Sequence, residues 1–201
     1  MTLWRWLEVP MTKTETDSKN PEYLLIWGGS TVTGQFATQI ATASGLKVIS
    51  VTSAKTKSLS ETLGAQVVVR DGKSEEEIVA ALREIAGDNI TRAIDLVGTK
   101  TASFCLQAFS NSKPGVFAPL AMISSKALIP ENVRVETVEM KQFVLNKDSR
   151  KYAVELNRLV EEGKLALPSI EVLEGGLEVV QHGLERLKSG DMGGKKMVVK
   201  F

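Results

Sequence analysis

The chain has 201 residues, 43% of them hydrophobic and 24% charged, with a formal net charge of +1. That length allows one large α/β domain or a domain with an appendage, and the composition is that of a soluble globular protein rather than a disordered one. A charge so near zero offers no basic field for nucleic acid or an anionic membrane surface, so neither is expected as a partner. Cys105 is the only cysteine and His182 the only histidine. No disulfide can form within one chain, a zinc site lacks its usual nitrogen and sulfur ligands, and a cytoplasmic location is expected. The start, MTLWRWLEVP, is too interrupted for a signal peptide, and no later run reaches membrane-spanning length.

In chain order, Trp4, Trp6 and Leu7 are a heavy apolar load that reads as the end of a helix packing on something. The polar stretch TKTETDSKN, between Pro10 and Pro21, reads as a loop. YLLIW then runs into Gly28 and Gly29, as expected of a central parallel strand buried on both faces. A helix follows over 34–44, with Phe36, Ala37, Ile40 and Ala41 inward and Gly45 in the C-cap position. LKVISVTS is a second strand, SAKTKSLSETLGA a short helix closed by Gly64, and AQVVVR a third strand. Ser74 heads a helix in which Glu77 completes a capping box and the first-turn acids suit the helix dipole. Its core stripe is Ile78, Val79, Leu82 and Ile85, and Gly87 ends it.

TRAIDLVG gives a fourth strand, 101–109 a helix, GVFAPLAMI a fifth strand and VRVETVEM a sixth. Cys105, inside TASFCLQAF, reads as a buried small hydrophobe rather than a reactive thiol. Strands alternating with helices require a parallel sheet covered on both faces, and right-handed crossovers make it doubly wound, a Rossmann-type α/β fold. From Lys147 the character changes: a helix containing Tyr152, Leu156, Leu159 and Val160, an extended ALPSIEVL, a helix over 177–188 and a closing strand in GGKKMVVKF. Helical spacing assigns Leu177, Val180, Leu184 and Leu187 to the buried face of that last helix and leaves His182 in solvent. The expected division is a leading helix and loop over 1–20, a dinucleotide-binding unit over 21–146, and a C-terminal helix–strand tail over 147–201 that packs back on it.

In such a sheet ligands bind beyond the carboxyl ends of the strands, which places the turn from Gly28 to Gly34 at the binding rim. The helix beginning there aims unpaired N–H groups and a partial positive charge at whatever sits above it, and a pyrophosphate fits. Against G-x-G-x-x-G, Gly29 and Gly34 match the first and third positions, while Thr31 stands in the second. The Thr31 Cβ crowds the approach of the pyrophosphate, but Ser30, Thr31 and Thr33 bring three hydroxyls able to donate to it. A plain strand-to-helix corner is the alternative for this segment. The second strand favours a cofactor. An NAD site usually has an acid about 20 residues past the turn to bind the ribose hydroxyls. No acid occurs between Gly34 and Glu61, and Ser53, Lys55 and Lys57 cluster at the place instead. Such a cluster suits the 2′-phosphate of NADP and disfavours both NAD and an S-adenosylmethionine site. Tyr23 and Tyr152, the only tyrosines, lack a lysine four residues on, which excludes the short-chain dehydrogenase motif.

WGGSTVTGQFATQIA, GLKVISVTSAK, LGAQVVV, AIDLVG and the terminal L-x-S-G-x-x-G-G-K-K-M-V-V together resemble the medium-chain dehydrogenase/reductase superfamily. The likeness is to zinc-free quinone-oxidoreductase-like members and fungal trans-acting enoyl reductases of polyketide pathways. It implies pyrophosphate contacts from Gly29, Ser30, Thr31, Val32 and Thr33, and 2′-phosphate contacts around Ser53 and Lys57. It also implies nicotinamide-side contacts near Pro119 and Leu120, and a tail that returns to the cofactor at Met192 and Gly193. Asp71 stands where relatives often have an aromatic residue near the adenine. Family members begin with a GroES-like β-domain, which is expected to be missing here and to leave Trp4 and Trp6 without packing partners. The activity implied is NADPH-dependent reduction of the C=C bond of an enoyl thioester, small or carrier-bound, beside a polyketide synthase. A non-catalytic NADP-binding or interaction module is the alternative. A monomer or a homodimer formed through the sixth strand is implied, and the pattern assigns no catalytic acid.

Overall fold

The structure, a computed structural model, describes residues 1–12, 21–190 and 192–201. The loop expected over 12–20 therefore lies, from Lys13 onward, outside the described residues. A short helix, α1 (Thr2–Arg5), precedes the first strand, β1 (Tyr23–Trp27). There follow α2 (Val32–Ala43), β2 (Lys47–Thr52), α3 (Lys57–Thr62), β3 (Gln66–Val69), α4 (Glu75–Ala86), β4 (Ile90–Asp95), α5 (Thr99–Ala108), β5 (Gly115–Pro119) and β6 (Val133–Val135). The strands form one parallel sheet in the order β3-β2-β1-β4-β5-β6, the arrangement of a doubly wound fold. Each β-to-β connection that carries a helix places it on one face or the other, which is why β1 is buried along its whole length.

Alternate residues of β1 feed two cores, as the two-residue period of a strand requires. Tyr23, Leu25 and Trp27 pack with Ile49, Val51 and the inner faces of α4 and α5, including Ile78, Leu82 and Cys105. Leu24 and Ile26 face the other way, against Ala37, Ile40 and Ala41 of α2. Leu3, Trp4, Leu7 and Val9 complete that second core. Trp4 and Trp6 are only 5% and 8% exposed, and the Trp4 ring stacks on Tyr152 at 6.0 Å. This overturns the expectation that these tryptophans lack partners: a tail helix, far away in sequence, supplies one.

The tail comprises α6 (Met140–Leu145), α7 (Arg150–Glu161), β7 (Ile170–Glu174), α8 (Val180–Ser189) and β8 (Lys196–Lys200). β7 and β8 pair in parallel as a separate two-stranded sheet. Two buried glutamines of α2 fasten this part to the sheet. Gln39 accepts from the Ala166 amide (2.7 Å) and donates to its carbonyl (3.1 Å), and Gln35 donates to the Gly194 carbonyl at 2.5 Å. The face expected to be buried on α8 is not. Leu177, Leu184 and Leu187 are 72%, 55% and 60% exposed, and Gly183 is the residue that packs inward, toward Met197 and Leu173. Periodicity identified the apolar stripe correctly, but the sheet it meets is too narrow to cover it. His182 is exposed as expected. No helix among the described residues is long and apolar enough to cross a membrane.

Candidate functional site

The glycine turn is fixed by three close approaches. Gly28 sits at φ +89°, a conformation that L side chains rarely adopt, and its amide donates to the Val51 carbonyl at 3.0 Å. A Cβ on Gly29 would lie 1.7 Å from the Ser50 hydroxyl of β2, and one on Gly34 would lie 2.6 Å from the carbonyl oxygens of both Gly28 and Gly29. The two glycines that match the fingerprint are thus required by packing. Thr31, in the unmatched position, is the N-cap of α2: its hydroxyl accepts from the Gly34 amide at 3.1 Å. The threonine thus closes the helix end with its side chain, which a glycine there lacks. The first-turn amides of Val32 and Thr33 have no acceptor within the helix. Gln35 also donates to the Ser30 carbonyl at 2.9 Å, so one buried side chain ties the turn to the tail.

Above the turn lies a cavity of about 570 Å³. Its floor is Trp27, Gly28, Ser30, Thr31 and Val32, one end is Thr52, Ser53, Lys55 and Arg70, and its far wall is Val180, Leu184, Leu187 and 192–197. Of the residues singled out from sequence, Ser30, Thr31, Val32, Ser53, Lys55, Met192 and Gly193 meet there. Gly29 lies beneath, against β2, and Thr33 is exposed on α2. Lys57 is not among the residues lining the cavity and pairs with Glu61 at 3.7 Å. Lys55 and Arg70 are the charged residues lining that end. Arg70 had no sequence signal of its own; it arrives because Val69 pairs with Thr52 and the Arg70 amide donates to the Thr52 carbonyl at 3.0 Å. Ser53 and Thr52 share hydroxyl contacts with Thr56 at 3.0 and 2.6 Å, which orders the loop after β2.

Pro119 and Leu120 are not in the cavity lining but continue the same rim, since Trp27 pairs with Asp95 and Asp95 with Pro119. β5 stops at Pro119, short of the expected GVFAPLAMI, because the Met122 amide turns back onto the Pro119 carbonyl at 3.2 Å and Met122 takes φ +78°. Asp95 itself is buried, and its carboxylate accepts from the Gly98 amide (3.0 Å) and the Thr101 hydroxyl (2.7 Å) at the start of α5. Burial, the largest influence, holds its carboxyl above the usual range against the pull of these hydrogen bonds. It shapes the rim at Val97, which lines the cavity. Burial likewise pushes the Cys105 thiol up, in keeping with an inert packing role.

A cleft at the carboxyl ends of parallel strands, with a glycine turn opening a helix, defines a dinucleotide-type Rossmann site. A family model described as zinc-binding dehydrogenase matches residues 33–160. The chain belongs to that family, in accord with its resemblance to medium-chain dehydrogenases and reductases. Among the described residues no group of three or more His, Cys, Asp or Glu is placed to hold a metal ion. A trans-enoyl reductase of Penicillium citrinum, gkaC, is 27% identical over 98% of this chain and 60% of its own length. The fold matches a quinone oxidoreductase of Pseudomonas syringae with a TM-score of 0.75 and 19% identity, covering 91% of this chain and 57% of that one. The Etr1p/NADP/crotonyl-CoA complex matches with a TM-score of 0.71 and 20% identity, covering 100% of this chain and 58% of that one. The chain thus spans 60% or less of the length of these relatives.

Proposed function

We propose that this chain binds NADP(H) and orients it for reduction of the C=C bond of an enoyl thioester, in the service of a polyketide pathway. The observation that carries the reading is the cavity that joins the glycine turn to Ser53, Lys55 and Arg70. In this reading 21–146 is the dinucleotide-binding unit, led in by 1–20 and walled by the tail, 147–201. Pyrophosphate rests on Ser30, Thr31 and Val32 with the α2 terminus beneath, Gly29 and Gly34 keep that terminus close to the sheet, and Thr33 adds a hydroxyl. The adenosine lies toward Ser53, with Lys55 and Arg70 about its 2′-phosphate and Lys57 farther out. The nicotinamide lies along the rim toward Pro119 and Leu120, and Met192 and Gly193 close over the middle.

The chemistry the cofactor would supply when bound is hydride for the β-carbon of the enoyl thioester, the α-carbon taking its proton from solvent. The chain's own part is orientation: the packed turn fixes the phosphates, and Val180, Leu184 and Leu187 offer the cofactor an apolar face to cover. Relatives named trans-enoyl reductases favour the enoyl substrate and the polyketide setting. Titration with NADPH, followed by tests of its oxidation with crotonyl-CoA and with a quinone, decides among the readings. Binding with oxidation dependent on crotonyl-CoA supports the proposal. Binding without turnover leaves a dinucleotide-binding module, and absence of any dinucleotide binding overturns both.

A further inference from the structure

The loop beyond β2 and the loop beyond β3 meet at one hydrogen bond that sequence reasoning gave no cause to expect. Val69 is level with Thr52 across the two strands, so the residues following each strand end side by side. Arg70 turns into the cavity lining, and the chain then reverses through Gly72 at φ +73° with the Lys73 amide on the Arg70 carbonyl at 3.2 Å. This turn presents the carboxylate of Asp71 to the loop after β2, where it accepts from the backbone amide of Ala54. Ala54 lies between Ser53 and Lys55, which with Thr56 line the adenosine end of the cavity.

We propose that Asp71 determines how this chain discriminates between NADPH and NADH, by holding a negative charge and a backbone donor at the place of the 2′-phosphate. The inference rests on the reading above, that the adenosine ribose lies beyond the end of β2. Two cationic side chains line this end, and one carboxylate lies beside it on the Ala54 amide. Lys55 and Arg70 line it and attract a 2′-phosphate, and Asp71 opposes that dianion from beside them. The Asp71 carboxylate also accepts the amide hydrogen that a phosphate oxygen at Ser53–Ala54 would otherwise take. A bare ribose meets the reverse situation, because its 2′-hydroxyl donates to a carboxylate. Asp71 therefore narrows a preference for NADPH that Lys55 and Arg70 alone would make wide. The usual acid at the end of β2 is missing from the sequence, and an acid at the end of β3 reaches the same neighbourhood from the next strand.

The test is the dissociation constant of NADPH and of NADH, measured on the full chain for the native protein, Asp71→Asn and Asp71→Ser. Removal of the charge is expected to tighten NADPH about tenfold at low ionic strength, with NADH unchanged or weaker and the gain shrinking as salt is added. Asp71→Ser keeps a hydrogen-bonding group at the turn, so it reads the charge independently of any local rearrangement in Asp71→Asn. Equal shifts for the two dinucleotides, or weaker NADPH binding in both variants, would overturn the assignment. A native chain that binds neither dinucleotide refutes the cofactor reading itself, and this inference with it.

Discussion

Gly29 and Ser50 face each other so closely that no side chain fits on the first, and the contact sets the height of the glycine turn above the sheet. Gly29→Ala is expected to cost about 1–3 kcal/mol, the usual range for overpacking a rigid site. In a Ser50→Gly background the nearest atom to the new Cβ is the Cα of residue 50, at 3.6 Å, which is ordinary contact. A double-mutant cycle on urea unfolding should therefore show a favourable coupling of about 1 kcal/mol or more between the two substitutions. Additive effects would mean that the turn relaxes by moving α2 instead. At this scale the sequence was a good guide to residues bound by local geometry, such as Gly29, Gly34 and Ser30. It was a poor guide to those placed by pairing. Lys55 lies in the turn of 3-10 helix Ala54–Thr56 and lines the cavity, whereas Lys57 opens α3 and does not, a distinction the sequence does not carry; Arg70 joins the site only through the β2–β3 register.

Elements whose ends carry their own signals formed where the sequence placed them. Ser74 and Glu77 cap α4 reciprocally, with the Glu77 amide on the Ser74 hydroxyl at 3.3 Å and the Ser74 amide on the Glu77 carboxylate at 2.7 Å. Connections between elements carry less visible chemistry. Asp88, between α4 and β4, accepts from the Ser110 hydroxyl (2.9 Å), the Asn111 amide (2.7 Å) and the Ser112 hydroxyl (2.5 Å), and so ties that turn to the loop leading into β5. Led by the Ser112 hydroxyl, these donors hold its carboxyl down at about 2, from an ordinary 3.8. A lowered carboxyl contributes stability that is complete above the unfolded value and lost as pH falls toward the folded one. Unfolding midpoints should therefore drop between about pH 4 and pH 2, and Asp88→Asn should flatten that part of the profile. Asp95 has the opposite sign. Its carboxyl is raised by burial, so the folded state holds its proton more firmly and stability declines as pH rises above 3.8. Asp95→Asn should remove this decline while the hydrogen bonds to Gly98 and Thr101 are kept in part, and a variant profile that declines as the native one does would show that another group causes it.

At the scale of the whole molecule the cavity belongs to two parts of the chain that are far apart in sequence. The sheet end gives the polar floor, and α8 with 192–197 gives a largely apolar wall held across it by Gln35. The α8 stripe was legible as apolar, but a helical period states which residues share a face and nothing about what covers them. Here the stripe covers a cleft. Its exposure follows from β7 and β8 making only a two-stranded sheet, which offers too little surface for a helix to bury a full face. A ligand that fills the cleft must contact both parts, so its binding energy is shared between the glycine turn and the tail. Ligand at a hundredfold excess over its dissociation constant stabilises the folded state by about 2.7 kcal/mol. For a chain of this size that is about 5–10 °C in the unfolding midpoint. Hydrogen exchange distinguishes the shared arrangement from a one-sided one. NADPH should slow exchange at 28–34 and at 192–197 together, and Gln35→Ala should abolish the protection at 192–197 while leaving part of that at the turn. Protection confined to the turn, with the native Gln35 in place, would show that the tail stands beside the cofactor without holding it.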